Sequence, residues 1–91
     1  MKPGRKFIEL GAAACTDAEI LAILLGSGGA HGSADDTARA VLARFGSLGA
    51  LMGQPLSELA TVRGIKAVRA IRIAAAFELA RRVIRHLEQE A

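Results

Sequence analysis

The sequence predicts an all-α domain, and three observations carry that prediction. No stretch alternates apolar and polar residues with the period of two that a half-buried strand needs. Two segments open on Thr16 and Ser33, each followed at once by acidic residues, the signature of a helix N-terminus. Glycines stand at Gly26, Gly46, Gly53 and Gly64, each where an apolar helical pattern ends. The pattern calls for a bundle of about five short helices joined by tight turns.

The elements follow in order. Residues 1–15 read as a basic N-terminal arm in which Phe7, Ile8 and Leu10 pack as one short turn. The first clear helix starts at Thr16-Asp17-Ala18-Glu19, a capping box with an extra acid in its first turn. Ile20, Leu21, Ile23, Leu24 and Leu25 wrap most of its circumference, so it is expected to be central and buried on several sides. Residues 26–32, Gly-Ser-Gly-Gly-Ala-His-Gly, cannot sustain regular structure. Ser33 with Asp35 and Asp36 opens the next helix, whose apolar side is Ala38, Val41, Leu42 and Phe45. Ser47 caps a short helix through Met52. Pro55 suits the first turn of another, with Leu56, Leu59 and Val62 inward, broken at Arg63-Gly64. The longest pattern runs from about Ala67 to Glu88 and carries two apolar stripes. Val68, Ile71, Ala75 and Leu79 form one; Ala70, Ile73, Phe77 and Ile84 form the other, which predicts packing on more than one neighbour.

Composition narrows the function. The chain has 91 residues, 52% of them apolar, with 19 alanines and 11 leucines, a globular composition that excludes intrinsic disorder. Phe7, Phe45 and Phe77 are the only aromatics, too few for a platform that stacks unpaired bases. The single Cys15 excludes an internal disulfide and a cysteine-rich zinc site. It lies just before the Thr16 cap with no base partner in sequence and reads as a small apolar filler. His31 and His86 are far apart, and Asp35-Asp36 read as dipole-complementing residues, not a metal pair. No cofactor is expected. The longest apolar run, Ile20 to Leu25, is too short to cross a bilayer, and no signal peptide is visible, so a cytoplasmic protein without a membrane partner is expected.

The net charge of +3 is unevenly placed. Residues 1–62 carry five Lys/Arg against six Asp/Glu; residues 63–91 carry seven against three. Such a cluster attracts polyanions more than the mean charge implies. It begins where the chemistry is most suggestive. After Val62, Arg63-Gly64 turns the chain, Ile65 can plug the groove between two helices, and a new helix starts with Lys66 and Arg69 in its first turn. A helix N-terminus offers unpaired N–H groups and a partial positive charge. Cations there oppose the dipole unless an anion binds. Two readings stand: a phosphate site, or a helix C-cap beside a solvated basic face. Arg81, Arg82 and Arg85 either extend the basic track or solvate the helix end. The Gly26–Gly32 run lacks a P-loop's Gly-Lys-Ser/Thr and the third glycine of a dinucleotide loop, so it reads as an interhelical turn.

Val62-Arg63-Gly64-Ile65-Lys66 with Ala70 and Ile71 resembles a helix-hairpin-helix motif, in which Lys66 replaces the usual second glycine. The resemblance widens to nearly the whole chain. Thr16-Asp17-Ala18-Glu19-Ile20-Leu21-Ala22-Ile23-Leu24-Leu25-Gly26-Ser27-Gly28, Arg44-Phe45-Gly46-Ser47-Leu48 and Glu78-Leu79-Ala80-Arg81-Arg82 resemble the N-terminal domain of the RadC family. What the resemblance implies is a tandem helix-hairpin-helix fold of the SAM-like kind, similar to the second domain of RuvA. It would occupy residues 16–91, with a pseudo-hairpin over 16–46, a connector over 47–53 and a hairpin pair over 55–88. The implied function is sequence-nonspecific binding of the DNA backbone, in a protein associated with DNA repair. Arg63, Gly64, Ile65, Lys66 and Arg69 are the expected DNA-binding residues. RadC-like proteins continue into a JAB/MPN-like metalloprotease domain, which this chain does not contain, so that domain is the implied partner. The competing expectation is a structural or protein-interaction module that positions it. No nucleophile–base or metal constellation is present, so the domain is not expected to be an enzyme.

Overall fold

The computed structural model describes residues 1–26 and 33–90. Among them every regular element is helical. Five α-helices run in order: α1 Pro3–Leu10, α2 Asp17–Leu25, α3 Ala34–Phe45, α4 Leu56–Leu59 and α5 Ala67–Glu90. Single 3₁₀ turns at Ala12–Ala14 and Gly49–Leu51 link α1 to α2 and α3 to α4. The all-α class is as the sequence predicts.

The caps form as their chemistry requires. Thr16 Oγ1 accepts from the Glu19 amide, and Glu19 accepts in return from the Thr16 amide at 2.8 Å, a closed capping box. Ser33 Oγ accepts from the Asp36 amide at 3.0 Å and starts α3. Ser47 Oγ accepts from the Ala50 amide, which winds the 3₁₀ turn. Helix α3 ends at Gly46 in the left-handed conformation.

One core holds these elements together. Its largest fully buried side chains are Leu25 of α2, Val41 of α3, Leu51 of the connector, Leu59 of α4 and Ile73 of α5. Helices α2 and α3 form its most extensive pairing, through Leu21, Ala22 and Leu25 against Ala38 and Val41. Arg44 joins Glu58 at 3.0 Å and lies over the Phe45 ring, fastening the end of α3 to α4.

Four expectations need correction. The N-terminal arm holds a full helix, with Pro3 in its first turn and Arg5 joined to Glu9 one turn on. No residue of α1 is buried; Lys6 ties it to Glu19 of α2 at 2.9 Å. Helix α2 is not enclosed, because Ile20 and Ile23 are each 40% exposed. Helix α4 is one turn only, with Pro55 at its N-cap; Leu59 and Val62 face the core but Leu56 does not. Of the two stripes on α5, only Ala70, Ile73 and Phe77 meet the core, while Val68, Ile71, Leu79 and also Ile84 are exposed. The distal half of α5 stands clear of the bundle, and no residue from 81 to 90 is buried. The radius of gyration, 13.6 Å, accordingly exceeds the roughly 12 Å of a compact chain this long. Residues 27–32, where the interhelical turn and His31 are expected, lie outside the described residues.

Candidate nucleic-acid interface

The turn between α4 and α5 is built around two buried apolar residues. Val62 and Ile65 are 7% and 2% exposed, and the Ile65 amide donates to the Val62 carbonyl at 3.0 Å. Between them the chain reverses at Gly64, whose φ is +94°. That conformation strains any L side chain. Space forbids one as well, since a Cβ on Gly64 would meet Thr37 of α3. Ile65 thus plugs the groove as expected, and its amide is spent inside the turn.

The start of α5 differs from the other long helices. Helices α2 and α3 each carry two acids in the first turn and a hydroxyl cap; α5 carries no acid there. The Ala70 amide donates to the Lys66 carbonyl at 2.9 Å, which makes Lys66 the residue from which the helix ladder starts. A lysine side chain has donors only and cannot cap. The amides of Ala67, Val68 and Arg69 therefore precede the ladder without a side-chain acceptor. Among the described residues, none of these amides, nor those of Gly64 and Lys66, has a hydrogen-bond acceptor. Arg63 and Lys66 are both exposed, and neither has a carboxylate partner among the described residues.

Arg69 is placed differently from its neighbours. Its guanidinium faces inward and donates to three backbone carbonyls: Nε to Leu25 at 3.3 Å, Nη1 to Gly64 at 3.1 Å and Nη2 to Gly26 at 3.0 Å. Arg72 adds a bond to Leu25 at 3.1 Å. These bonds complete the otherwise unpaired carbonyl end of α2 and place a cation at the negative end of its dipole. They also hold the α4–α5 turn beside the end of α2. Sequence reasoning missed this role because the bonds to Leu25 and Gly26 span more than forty residues and no local spacing announces them.

Of the five residues expected to form the site, the fold therefore brings Arg63, Gly64 and Lys66 together at an open surface. Ile65 lies beneath them and Arg69 braces them from the side. Arg81, Arg82 and Arg85 lie far along α5; Arg81 and Arg82 both bind Glu78, which holds that carboxyl down at about 2. No cluster of metal-ligating side chains is present among the described residues. Among the described residues no helix is long and apolar enough to cross a membrane. A cleft of about 760 Å³ between the start of α1 and helices α2 and α3 is lined by Lys2, Arg5, Ile23 and Asp35 and contains none of the expected site residues.

Comparison with known proteins places the chain. Residues 1–71 match the family model described as UPF0758 N-terminal. A UPF0758 protein of Cupriavidus taiwanensis is 49% identical over 83 residues, covering 91% of this chain and 36% of that protein. One of Neisseria meningitidis serogroup B is 41% identical over 90 residues, covering 99% of this chain and 40% of its own length. One of Neisseria gonorrhoeae is 42% identical over 89 residues. The chain thus spans well under half the length of these relatives. No solved structure matches it. A family model covering most of the chain, together with relatives this similar, shows that the chain belongs to the UPF0758 family, as the N-terminal region of these RadC-like proteins.

Proposed function

We propose that this domain binds DNA without sequence preference, through phosphate contacts at the turn between α4 and α5. One observation carries the reading. Among the described residues, a helix begins with its leading amides free of acceptors, without a capping side chain or a first-turn acid, directly after two exposed cations, Arg63 and Lys66. A phosphate oxygen satisfies those amides, accepts charge-assisted bonds from the cations and offsets their repulsion from the helix dipole. The contacts are to backbone phosphates and carry no sequence information. In this reading the domain binds and does not catalyse, and its place in a repair-associated protein follows from the resemblance to RadC.

Fluorescence anisotropy of the chain with a labelled duplex over a salt series tests the proposal. Two to four phosphate contacts give a log–log salt slope of roughly −2 to −4. Lys66→Glu weakens binding to unrelated sequences about equally. Binding that is absent, or insensitive to salt, overturns the reading. A second reading, a module that positions a further domain such as the JAB/MPN-like one, is supported by the share of its relatives that the chain spans. It is the reading left standing by that result.

A further inference from the structure

Two arginines converge on the carbonyl end of α2. Arg69 Nε donates to the Leu25 carbonyl at 3.3 Å, and Arg72 Nη1 donates to the same oxygen at 3.1 Å. Two guanidinium groups thus share one acceptor. The negative end of a helix dipole carries about half a unit charge, so it offsets only part of theirs. Among the described residues neither arginine pairs with a carboxylate. No acid stands in the sequence between Glu58 and Glu78. Asp17 and Glu19 lie at the opposite end of α2, and Asp35, which lines the cleft beside Gly26, is joined to Arg39.

The two arginines are not alike. Arg69 is half-buried and spends its N–H groups on three carbonyls. Arg72 is exposed and makes one such bond; its other donors have no acceptor among the described residues. Gly26 leaves the room in which the Arg72 head lies, since a Cβ there would stand 3.0 Å from Nη1. Arg69 ties this arrangement to the α4–α5 turn, with Nη2 on the Gly26 carbonyl and Nη1 on that of Gly64. The open edge of Arg72 is therefore one guanidinium away from the turn that carries Arg63 and Lys66.

We propose that Arg72 is a second phosphate-binding point of this domain, taking a further phosphate of the DNA backbone held at the turn. The inference rests on the DNA-binding reading above and extends it from one turn to two points, on either side of Arg69. A phosphate at Arg72 accepts charge-assisted bonds and relieves the repulsion between the two guanidinium groups. The bond to Leu25 holds the head in place, so less side-chain freedom is lost on binding than for an unanchored cation. The two points also differ in kind. The turn offers amides and a lysine, whereas Arg72 offers a planar fork that matches two phosphate oxygens at once.

Anisotropy with a labelled duplex of mixed sequence, over a salt series, tests the second point. Arg72→Ala should weaken binding severalfold and make the log–log salt slope shallower by about 1, as the loss of one phosphate contact requires. Arg72→Lys should restore the slope, because it keeps the charge, and recover only part of the affinity, because it lacks the fork. A measurement on the unaltered chain does not depend on how these variants fold. Modification of arginines by phenylglyoxal, read by mass spectrometry, should be slowed severalfold at Arg72 by excess duplex and left unchanged at Arg85, far along α5. Lys66→Glu separates the two levels of the proposal. If it weakens binding while Arg72→Ala leaves the slope alone, or if duplex fails to protect Arg72, the second point is overturned and the turn holds DNA by itself. If the chain binds no duplex at all, the DNA reading falls and the second point falls with it.

Discussion

Thr37 Oγ1 stands 2.9 Å from where a Cβ on Gly64 would sit, and its Cγ2 stands 3.2 Å away. Thr37 is itself 3% exposed, and its hydroxyl donates to the Ser33 carbonyl at 3.2 Å. Helix α3 and the α4–α5 turn are thus in contact at a residue where a side chain is excluded twice, by space and by a φ of +94°.

Replacing Gly64 tests both exclusions. Backbone strain alone predicts that Gly64→Ala costs about 1–3 kcal/mol, and the clash with Thr37 adds to it. Thr37→Ala removes both clashing atoms, so the double variant should lose less stability than the two single losses combined. Urea denaturation of the four proteins measures that coupling. Strict additivity would show that strain at φ, and not the contact with α3, sets the cost.

Arg69 carries a second prediction. Its three carbonyl bonds join the end of α2 to the turn, so Arg69→Ala should destabilise the fold by roughly 1–3 kcal/mol, as expected for hydrogen bonds made by a charged group. Arg69→Lys should recover only part of this, because a single ammonium cannot reach three divergent acceptors as the planar fork does. On DNA the signature is distinctive. A residue that contacts phosphate lowers the salt slope by about 1 when removed, whereas one that braces the turn lowers affinity and leaves the slope alone. An unchanged slope is expected for Arg69→Ala, and a shallower one for Lys66→Ala.

What the sequence made legible, and what it did not, divides along local against distant physics. Thr16 with Glu19, Ser33 with Asp36, and the stop at Gly46 are decided within one helical turn, and each forms as read. The fate of Ile20, Ile23, Leu56 and Leu79 depends on whether another element arrives to cover them, which hydrophobic pattern cannot say. Helix α1 was legible in principle from Pro3 and the Arg5–Glu9 spacing, but its lack of a buried stripe hid it. At the candidate site, Gly64 and the plug Ile65 were readable from their order in the chain. The inward turn of Arg69 was not, because its acceptors at Leu25 and Gly26 are brought near only by the folded core.

Acid should loosen the molecule in a predictable window. Glu19 is held below the ordinary carboxylate range, first by the Thr16 amide and then by Lys6, and Glu78 is held at about 2 by Arg81 and then Arg82. A carboxylate with a depressed folded value stabilises fully above its unfolded value and loses that contribution as pH falls through the folded one. Helicity followed by circular dichroism should therefore begin to decline below about pH 4.5 and continue toward about 2. Glu78→Gln and Glu19→Gln should each flatten that decline. Only Glu19→Gln should also free α1, since it alone removes the partner of Lys6. Amide exchange over residues 3–10 reads that release.

Lys66→Gly is the substitution that asks how the turn holds a phosphate. Stability should hold, because glycine is accepted at a helix N-cap and lysine brings no cap of its own to lose. The exchange removes one positive charge and opens the backbone at a residue whose amide has no acceptor among the described residues. If close approach of the amides dominates, affinity for duplex DNA stays level or rises while the salt slope becomes shallower by about 1. If the lysine side chain has taken over the contact, affinity and slope fall together, and Lys66→Arg restores both. The position of Lys66 favours the second outcome. Its ammonium is exposed and lacks a carboxylate partner among the described residues, and it stands one residue before the amides of Ala67 and Val68. A charge-assisted bond is roughly twice as strong as the neutral amide contact that a glycine would expose. Affinity for Lys66→Gly should therefore fall severalfold at moderate salt, and a variant that binds as tightly as the parent would assign the contact to the backbone instead.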